Sequence, residues 1–321
     1  MLNILRNNFQ YTRRAIVRHG EIVTLLFFVV LLIFSSIVSP LFLKPNNISN
    51  VMRQAAALGI VAIGQTFVIL VNGIDLSVGS IATVSGIIAA VLMNGQNERV
   101  LPVLLISLCA GAAIGFVSGF FITKFKLPDF IVTLSVLSIV NGFMFLYTKG
   151  REVGIVSSNF MSFGSSDVLK IPVTFLICLG ITAIAYVVLR FTRLGRHFYA
   201  VGGNRVSARL SGINVNRIRI LAYVISGFMA ALSGLVLLSR IGVGYPLAGA
   251  DLNLDSIVSV VIGGTALSGG RGSIVGTLFG ILILSILNNI FNLIGISAFA
   301  QIVFKGIIIV MVVVLRALGE K

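Results

Sequence analysis

Charge is scarce in this chain. Of its 321 residues only 10% are charged and nine are acidic, whereas 57% are hydrophobic and the mean hydropathy is +1.09. A soluble domain carries about 25% charged residues, so the composition excludes a soluble fold and describes an all-α, polytopic membrane protein. Cysteine is almost absent: Cys109 and Cys178 each lie inside an apolar segment, which leaves no disulfide framework and no metal cluster. The two histidines, His19 and His197, have no neighbours that suggest a metal or catalysis, so neither a metal site nor a catalytic residue is expected. No G-x-x-x-x-G-K-[ST] string occurs, and the chain therefore has no P-loop of its own to hold ATP phosphates. The nearest approach to a nucleophile elbow, "GTALSGG", has no histidine at membrane depth to activate it, which argues against intramembrane hydrolysis and against an enzyme.

What the chain has is apolar length and positive charge. A spanning helix needs roughly 20 apolar residues, and ten segments are read as candidates: 22–40, 52–71, 76–93, 101–123, 130–148, 171–189, 220–239, 254–267, 273–293 and 298–315. The eighth is short, which leaves it tilted, broken or re-entrant. The formal charge of +15 does not point to nucleic acid, because the basic residues cluster between apolar runs as in cytoplasmic loops. With the N-terminus inside, sixteen Lys and Arg fall on the cytoplasmic side and seven outside, with Lys305 within the last helix. The expectation is one transmembrane domain over 1–321 with both termini cytoplasmic. The basic stretch 1–21 is a cytoplasmic N-terminal segment, and the apolar run after it is a retained helix, with no cleavage pattern to mark a signal peptide.

Between two of the apolar runs stands "NGIDLSVGS", residues 72–80, with one of the nine acids at its centre. Three roles stay open for Asp75: a contact to a polar solute, a coupling proton, or a cap that restarts a helix after Asn72 and Gly73 break the one before. Ser77 is the second candidate cap. A similar string recurs as "GTALSGGRGS" when its "LS" is aligned with the first, which pairs Gly73 with Gly264 and Ser77 with Ser268. Matched glycine breaks in two halves point to an internal repeat with the solute path at its interface. The alternative is a likeness of composition among glycine- and serine-rich membrane helices.

Two further features bear on function. "LNNIFN" places Asn288 and Asn292 four residues apart on one helical face with Asn289 beside them, a set suited to a neutral, hydroxyl-rich solute or to cross-helix hydrogen bonding. The segment 190–219 is the largest polar block, with seven arginines and no acid. Within it "NRVSARLSGINVNRIRI" reads as a short helix with Val206, Leu210 and Ile213 roughly on one side, ended by Gly212. Such a helix docks on a cytosolic partner or lies on anionic lipid; retained topogenic arginines are the plainer reading.

Together "ILVNGIDLSVGS", "FTRLGRHFYAVGGNRVSARLSGINVNRIRI", "SVVIGGTALSGGRGSIVGTLFG" and "LNNIFNLIGIS" resemble the permease subunits of ribose-type monosaccharide importers of the ATP-binding cassette class, beside the branched-chain amino-acid permeases. The resemblance runs from about residue 40 to 316. It implies a homodimer in the bilayer, a cytosolic ATPase that binds the ATP, and an external sugar-binding protein. It also implies that the match to the ATPase-coupling stretch falls on Asn204, Arg205, Ala208, Arg209, Leu210, Gly212 and Ile213. No cofactor of the chain itself is implied. The external loops 149–170 and 240–253 would then face the binding protein.

Overall fold

The computed structural model describes residues 20–297, 299–308 and 310. Nearly all of the expected cytoplasmic segment 1–21, with Arg6, Arg13, Arg14 and Arg18, lies outside them, as do Arg316 and Lys321. The elements in order are α1 (Gly20–Val38), α2 (Pro45–Leu70), α3 (Val78–Met93), α4 (Val100–Lys124), α5 (Asp129–Thr148), α6 (Ser158–Ser165), a two-residue hairpin of β1 (Asp167–Val168) and β2 (Ile171–Pro172), α7 (Val173–Phe191), α8 (Arg193–Gly203), α9 (Arg205–Leu210), α10 (Val215–Ile241), α11 (Leu252–Ile262) and α12 (Ile274–Leu293). A last apolar helix, α13, covers Phe299–Ile308.

Among the described residues six helices are long and apolar enough to cross a membrane: α2, α4, α5, α7, α10 and α12. The chain is thus polytopic, but four of the ten expected segments are shorter than a span among the described residues: Thr24–Val38 of α1, α3, α11 and α13. At 1.5 Å per residue α11 extends only about 16 Å, half of a bilayer core of about 30 Å.

Two helices form the centre. α2 is buried on all sides from Ala55 to Leu70, as expected of an apolar helix surrounded by others. α10 packs most extensively against α4, then α2 and α3. The α4 contact is built on Gly111, Gly115 and Gly119, four residues apart, which meet Ala231, Gly227, Tyr223 and Ile220 of α10. Without side chains in the way the two backbones close up, the usual route to helix association in lipid. By contrast, α4 and α5 bury little of their length and turn Phe116, Phe121, Phe143 and Leu146 outward.

The connections gather at two ends of the bundle. At one end lie the α2–α3, α8–α9 and α11–α12 connections. At the other, Val153 pairs with Gly244, and Arg53 in the third turn of α2 reaches Asp167 of the hairpin at 2.7 Å. The loop expected at 149–170 therefore contains α6 and β1 and is tied down over the bundle.

Candidate functional site

The first break is formed by the residues that the sequence marks, but it is not a simple stop and restart. α2 ends with Asn72 in the left-handed region (φ 57°), its N–H bonded to Ile69 O (2.9 Å) and that of Gly73 to Val68 O (3.0 Å). This is the Schellman arrangement, which Asn tolerates better than most residues. The chain then runs back into the bundle without helical structure from Gly73 to Ser77. Gly73 lies so close to the Tyr223 hydroxyl and the Asp129 carboxylate that a Cβ would collide with both.

Asp75 is fully buried within this unwound stretch. Its Oδ1 accepts from the Ser77 N–H (2.9 Å) and hydroxyl (2.6 Å), and its Oδ2 accepts from the Ser226 hydroxyl of α10 (2.8 Å). The Gln65 amide, oriented by the donors and acceptors around it, brackets the Asp75 backbone with two bonds of 3.2 Å. Ser77 is the residue before α3 and makes no side-chain cap bond, because its hydroxyl is committed to Asp75. α3 begins where Gly79 N–H meets the Asn253 side chain of α11 (2.6 Å).

Three connections converge at the end of α2, and between them they satisfy the carbonyls that a helix end leaves orphaned. Leu70 O accepts from Gly270 N–H at 2.9 Å. Arg205, the first residue of α9, donates from one nitrogen, Nη2, to Asn72 O (2.9 Å) and Val71 O (3.3 Å). Gly202 packs directly on the Leu70 carbonyl and Gly270, and Tyr199 donates its hydroxyl to Gly272 O at 2.9 Å. Phe198 of α8 stands edge-on to Phe67 of α2 with ring centroids 5.1 Å apart. Beneath this lies an ion pair, Arg219 to Asp129 at 2.6 Å, with the Tyr223 hydroxyl on the other carboxylate oxygen at 2.9 Å. Burial and the neighbouring Arg219 lower the pKa of the Arg205 guanidinium while Asp129 and Tyr223 oppose the shift; an arginine remains charged throughout.

The seven residues expected to couple to a partner divide into two groups. Asn204 caps α9, accepting from the N–H groups of Val206 and Ser207 at 2.9 Å. Ala208 is buried, Arg205 turns inward, and Ile213 packs against the core. Arg209, Gly212 and Leu210 face outward, Leu210 being 84% exposed and Val206 70%. Val206, Leu210 and Ile213 are therefore not one face, because the helix is only six residues long and the chain turns before Ile213. That turn is a second Schellman motif: Gly212 (φ 81°) bonds Arg209 O and Ile213 bonds Ala208 O, both at 3.0 Å.

The second break differs from the first. Gly264 (φ 104°) follows α11, and Ala266 stands where the aligned string has Asp75. Ser268 is exposed at the tip of the loop, and the residue that caps α12 is Ser273, which accepts from Gly276 N–H at 3.0 Å. The amides of α12 are also dispersed. Asn289 pairs reciprocally with Asn47 of α2 (2.8 and 2.9 Å), and Asn292 accepts from Gln301 (2.9 Å). Asn288 reaches Asp255 at 3.5 Å, and its own oxygen is buried without a partner among the described residues.

A family model described as branched-chain amino acid transport system / permease component matches residues 47–314. The chain belongs to that family. The family expected from the four strings is thus borne out, and this permease is a multi-pass protein of the cytoplasmic membrane with a transport role and no catalytic one. It is 45% identical over 288 residues to the ribose import permease protein RbsC of Bacillus subtilis, covering 89% of each chain. It is 40% identical over 313 residues to the protein of the same name from Haemophilus influenzae, covering 96% of this chain and 95% of the relative. The D-allose transport system permease protein AlsC of Escherichia coli is 34% identical over 293 residues, covering 91% and 90%. No solved structure matches the permease significantly.

Sequence reasoning missed three parts of this arrangement. α8 was hidden in a polar block, although Leu194, Phe198 and Val201 follow the i, i+4, i+7 spacing of an amphipathic helix. The Asp129–Arg219 pair joins residues 90 apart at loop margins and leaves no local signal. Asp255, in α11, binds Lys305 of α13 at 2.9 Å; two opposite charges in apolar segments were the available clue.

Proposed function

We propose that this permease is the membrane-spanning subunit of an ATP-binding cassette importer that carries a monosaccharide, ribose first, into the cell. The observation that carries the reading is the 45% identity, over 89% of both chains, to a protein named for ribose import. Ribose stands ahead of other sugars because the D-allose relative is the more distant. A cytosolic ATPase binds the nucleotide, so the permease needs no cofactor, and an external sugar-binding protein delivers the solute.

Residues 1–321 form one domain with ten membrane segments, of which α3 and α11 are partial. Both termini are cytoplasmic, supported by the sixteen-to-seven distribution of basic residues. The segment 190–219 meets the ATPase through the outward residues of α9. Two copies pair in the bilayer, consistent with the apolar outer faces of α4 and α5. The breaks at Asn72–Ser77 and Gly264–Ser268 descend from a repeat and flank the pathway, with Asn288 as its amide contact.

The test is uptake of radiolabelled ribose into vesicles holding the permease with its ATPase and binding protein. Uptake that needs both partners, and that survives an uncoupler while ATP is held constant, supports the reading. Uptake by the permease alone would instead establish a secondary transporter or channel, and collapse with the uncoupler would make it an ion-driven one.

A further inference from the structure

One contact in the permease joins the helix proposed to meet the ATPase to the unwound stretch proposed to flank the pathway. Arg205 opens α9 and carries a charge away from the outward face, into the end of α2. Its Nη2 bridges the carbonyls of Val71 and Asn72, the last two residues before the break. A cation at a helix C-terminus meets the negative end of the helix dipole as well as two orphaned acceptors. The carbonyl one residue earlier, that of Leu70, is taken by the Gly270 N–H.

The contact is held firmly on the α9 side and ends, on the other, at a chain held by a few bonds. On the α9 side, Asn204 caps the helix and Ala208 is buried, so Arg205 moves when α9 moves. On the other side, the residues after Asn72 are held only by specific bonds: Ile74 O by the Thr133 hydroxyl at 3.3 Å, and Asp75 by Gln65, Ser77 and Ser226. An unwound segment of this kind has no helical ladder to keep its shape, so a displacement at its first residue is passed along it.

We propose that Arg205 is a positioning residue that transmits displacement of α9, through the Val71–Asn72 turn, to the unwound segment 73–77, separate from the outward residues that would hold the ATPase. This rests on the reading of α9 as the docking helix, and the experiment is chosen so that either can fail alone. Amide hydrogen exchange is followed in the complete complex, with and without ADP trapped in the ATPase by vanadate after ATP hydrolysis. In the wild type, trapping changes the exchange of the 73–77 amides at least tenfold. In Arg205→Ala, α9 stays protected by the ATPase but the change at 73–77 falls below twofold, and transport of ribose per ATP hydrolysed drops at least tenfold. Because both bonds come from a single nitrogen, an ammonium can replace them, and Arg205→Lys restores the exchange response to within threefold of wild type.

An unchanged response at 73–77 in Arg205→Ala overturns the proposal. So does loss of ATPase association in that variant, which would place Arg205 in the docking surface itself, and so does a lysine variant as silent as alanine. Should Arg205→Ala not accumulate in the membrane, Arg205→Met, which keeps the length of the side chain without a donor or a charge, replaces it under the same criteria. The docking reading is judged apart from all of these, by whether the ATPase protects α9 in the wild type.

Discussion

Arg219 and Asp129 meet at 2.6 Å where α10 and α5 begin, with the Tyr223 hydroxyl on the free carboxylate oxygen and Gly73 pressed against both acceptor and hydroxyl. The pair is largely shielded, with side-chain exposures of 9% and 15%. Removing one partner of such a pair leaves a charge without compensation and costs about 3–5 kcal/mol. Asp129→Ala is therefore expected to lower the temperature at which the detergent-solubilised permease loses its monodisperse peak, by well over 5 °C. Asp129→Ala combined with Arg219→Leu should recover most of the loss. A double variant no better than the single one would show that the carboxylate has a role beyond neutralising Arg219.

Gly73 gives an independent check of the same place. A methyl group there has no room beside Tyr223 and Asp129, so Gly73→Ala must push the unwound chain away from α10. Overpacking of this kind costs about 1–3 kcal/mol. The expected outcome is reduced thermal stability, measured as above, together with at least a fivefold fall in ribose uptake. Wild-type behaviour in both would mean that the segment yields freely.

Asp75 separates structure from pathway. Three donors converge on its carboxylate, and a buried donor left without a partner costs about 1–3 kcal/mol. Asp75→Ala strands all three and should prevent stable assembly. Asp75→Asn keeps an oxygen for Ser77 and presents an NH2 that the Ser226 hydroxyl can accept, so it is expected to assemble and to transport at a rate reduced less than tenfold. Complete loss of uptake in a well-assembled Asp75→Asn protein would assign the carboxylate a direct part in solute passage.

How far the sequence reveals this arrangement depends on whether a feature is local. The break at Asn72 and Gly73, the glycine stop at Gly212 and the amide-rich "LNNIFN" string are all visible, because each is a short-range departure from an apolar background. Their partners are not. Nothing in the string shows that Asn288, Asn289 and Asn292 face three different neighbours, since helical spacing orders residues on one helix and says nothing of what packs against them. The same holds for Ser268 and Ser273: both follow the aligned glycine, and only the backbone decides that Ser273 caps α12. The eighth apolar run, 254–267, already reads as short, and it outlasts α11 only because it continues into a loop buried beside α12.

α9 offers a prediction in which folding and association part company. Leu210 and Val206 are exposed, so a charge at either should change stability by no more than about 0.5 kcal/mol. Leu210→Glu is expected to leave insertion and monodispersity intact while abolishing co-purification of the ATPase. Gly212→Glu carries a further cost, about 1–2 kcal/mol for an L-residue in the left-handed region, and should loosen α9 as well. Normal co-purification of Leu210→Glu would remove α9 from the ATPase interface.

The second ion pair tests whether α13 belongs to the rigid part of the permease. Lys305 reaches Asp255 at 2.9 Å, with side-chain exposures of 16% and 10%, and Asn288 lies 3.5 Å from the same oxygen. α13 also packs Phe304 against Phe291 of α12 and Ile308 against the core, and the Lys305 bond adds a charged tie to α11. Lys305→Met strands the Asp255 carboxylate in an apolar setting, a loss of about 3–5 kcal/mol, and should both lower thermal stability and expose α13 to proteolysis. Asp255→Asn added to Lys305→Met removes the buried charge and leaves an amide that can bond Asn288. The double variant is expected to regain stability but not the protection of α13, because the tie itself is gone. Restored protection in the double variant would show that packing alone holds α13 in place.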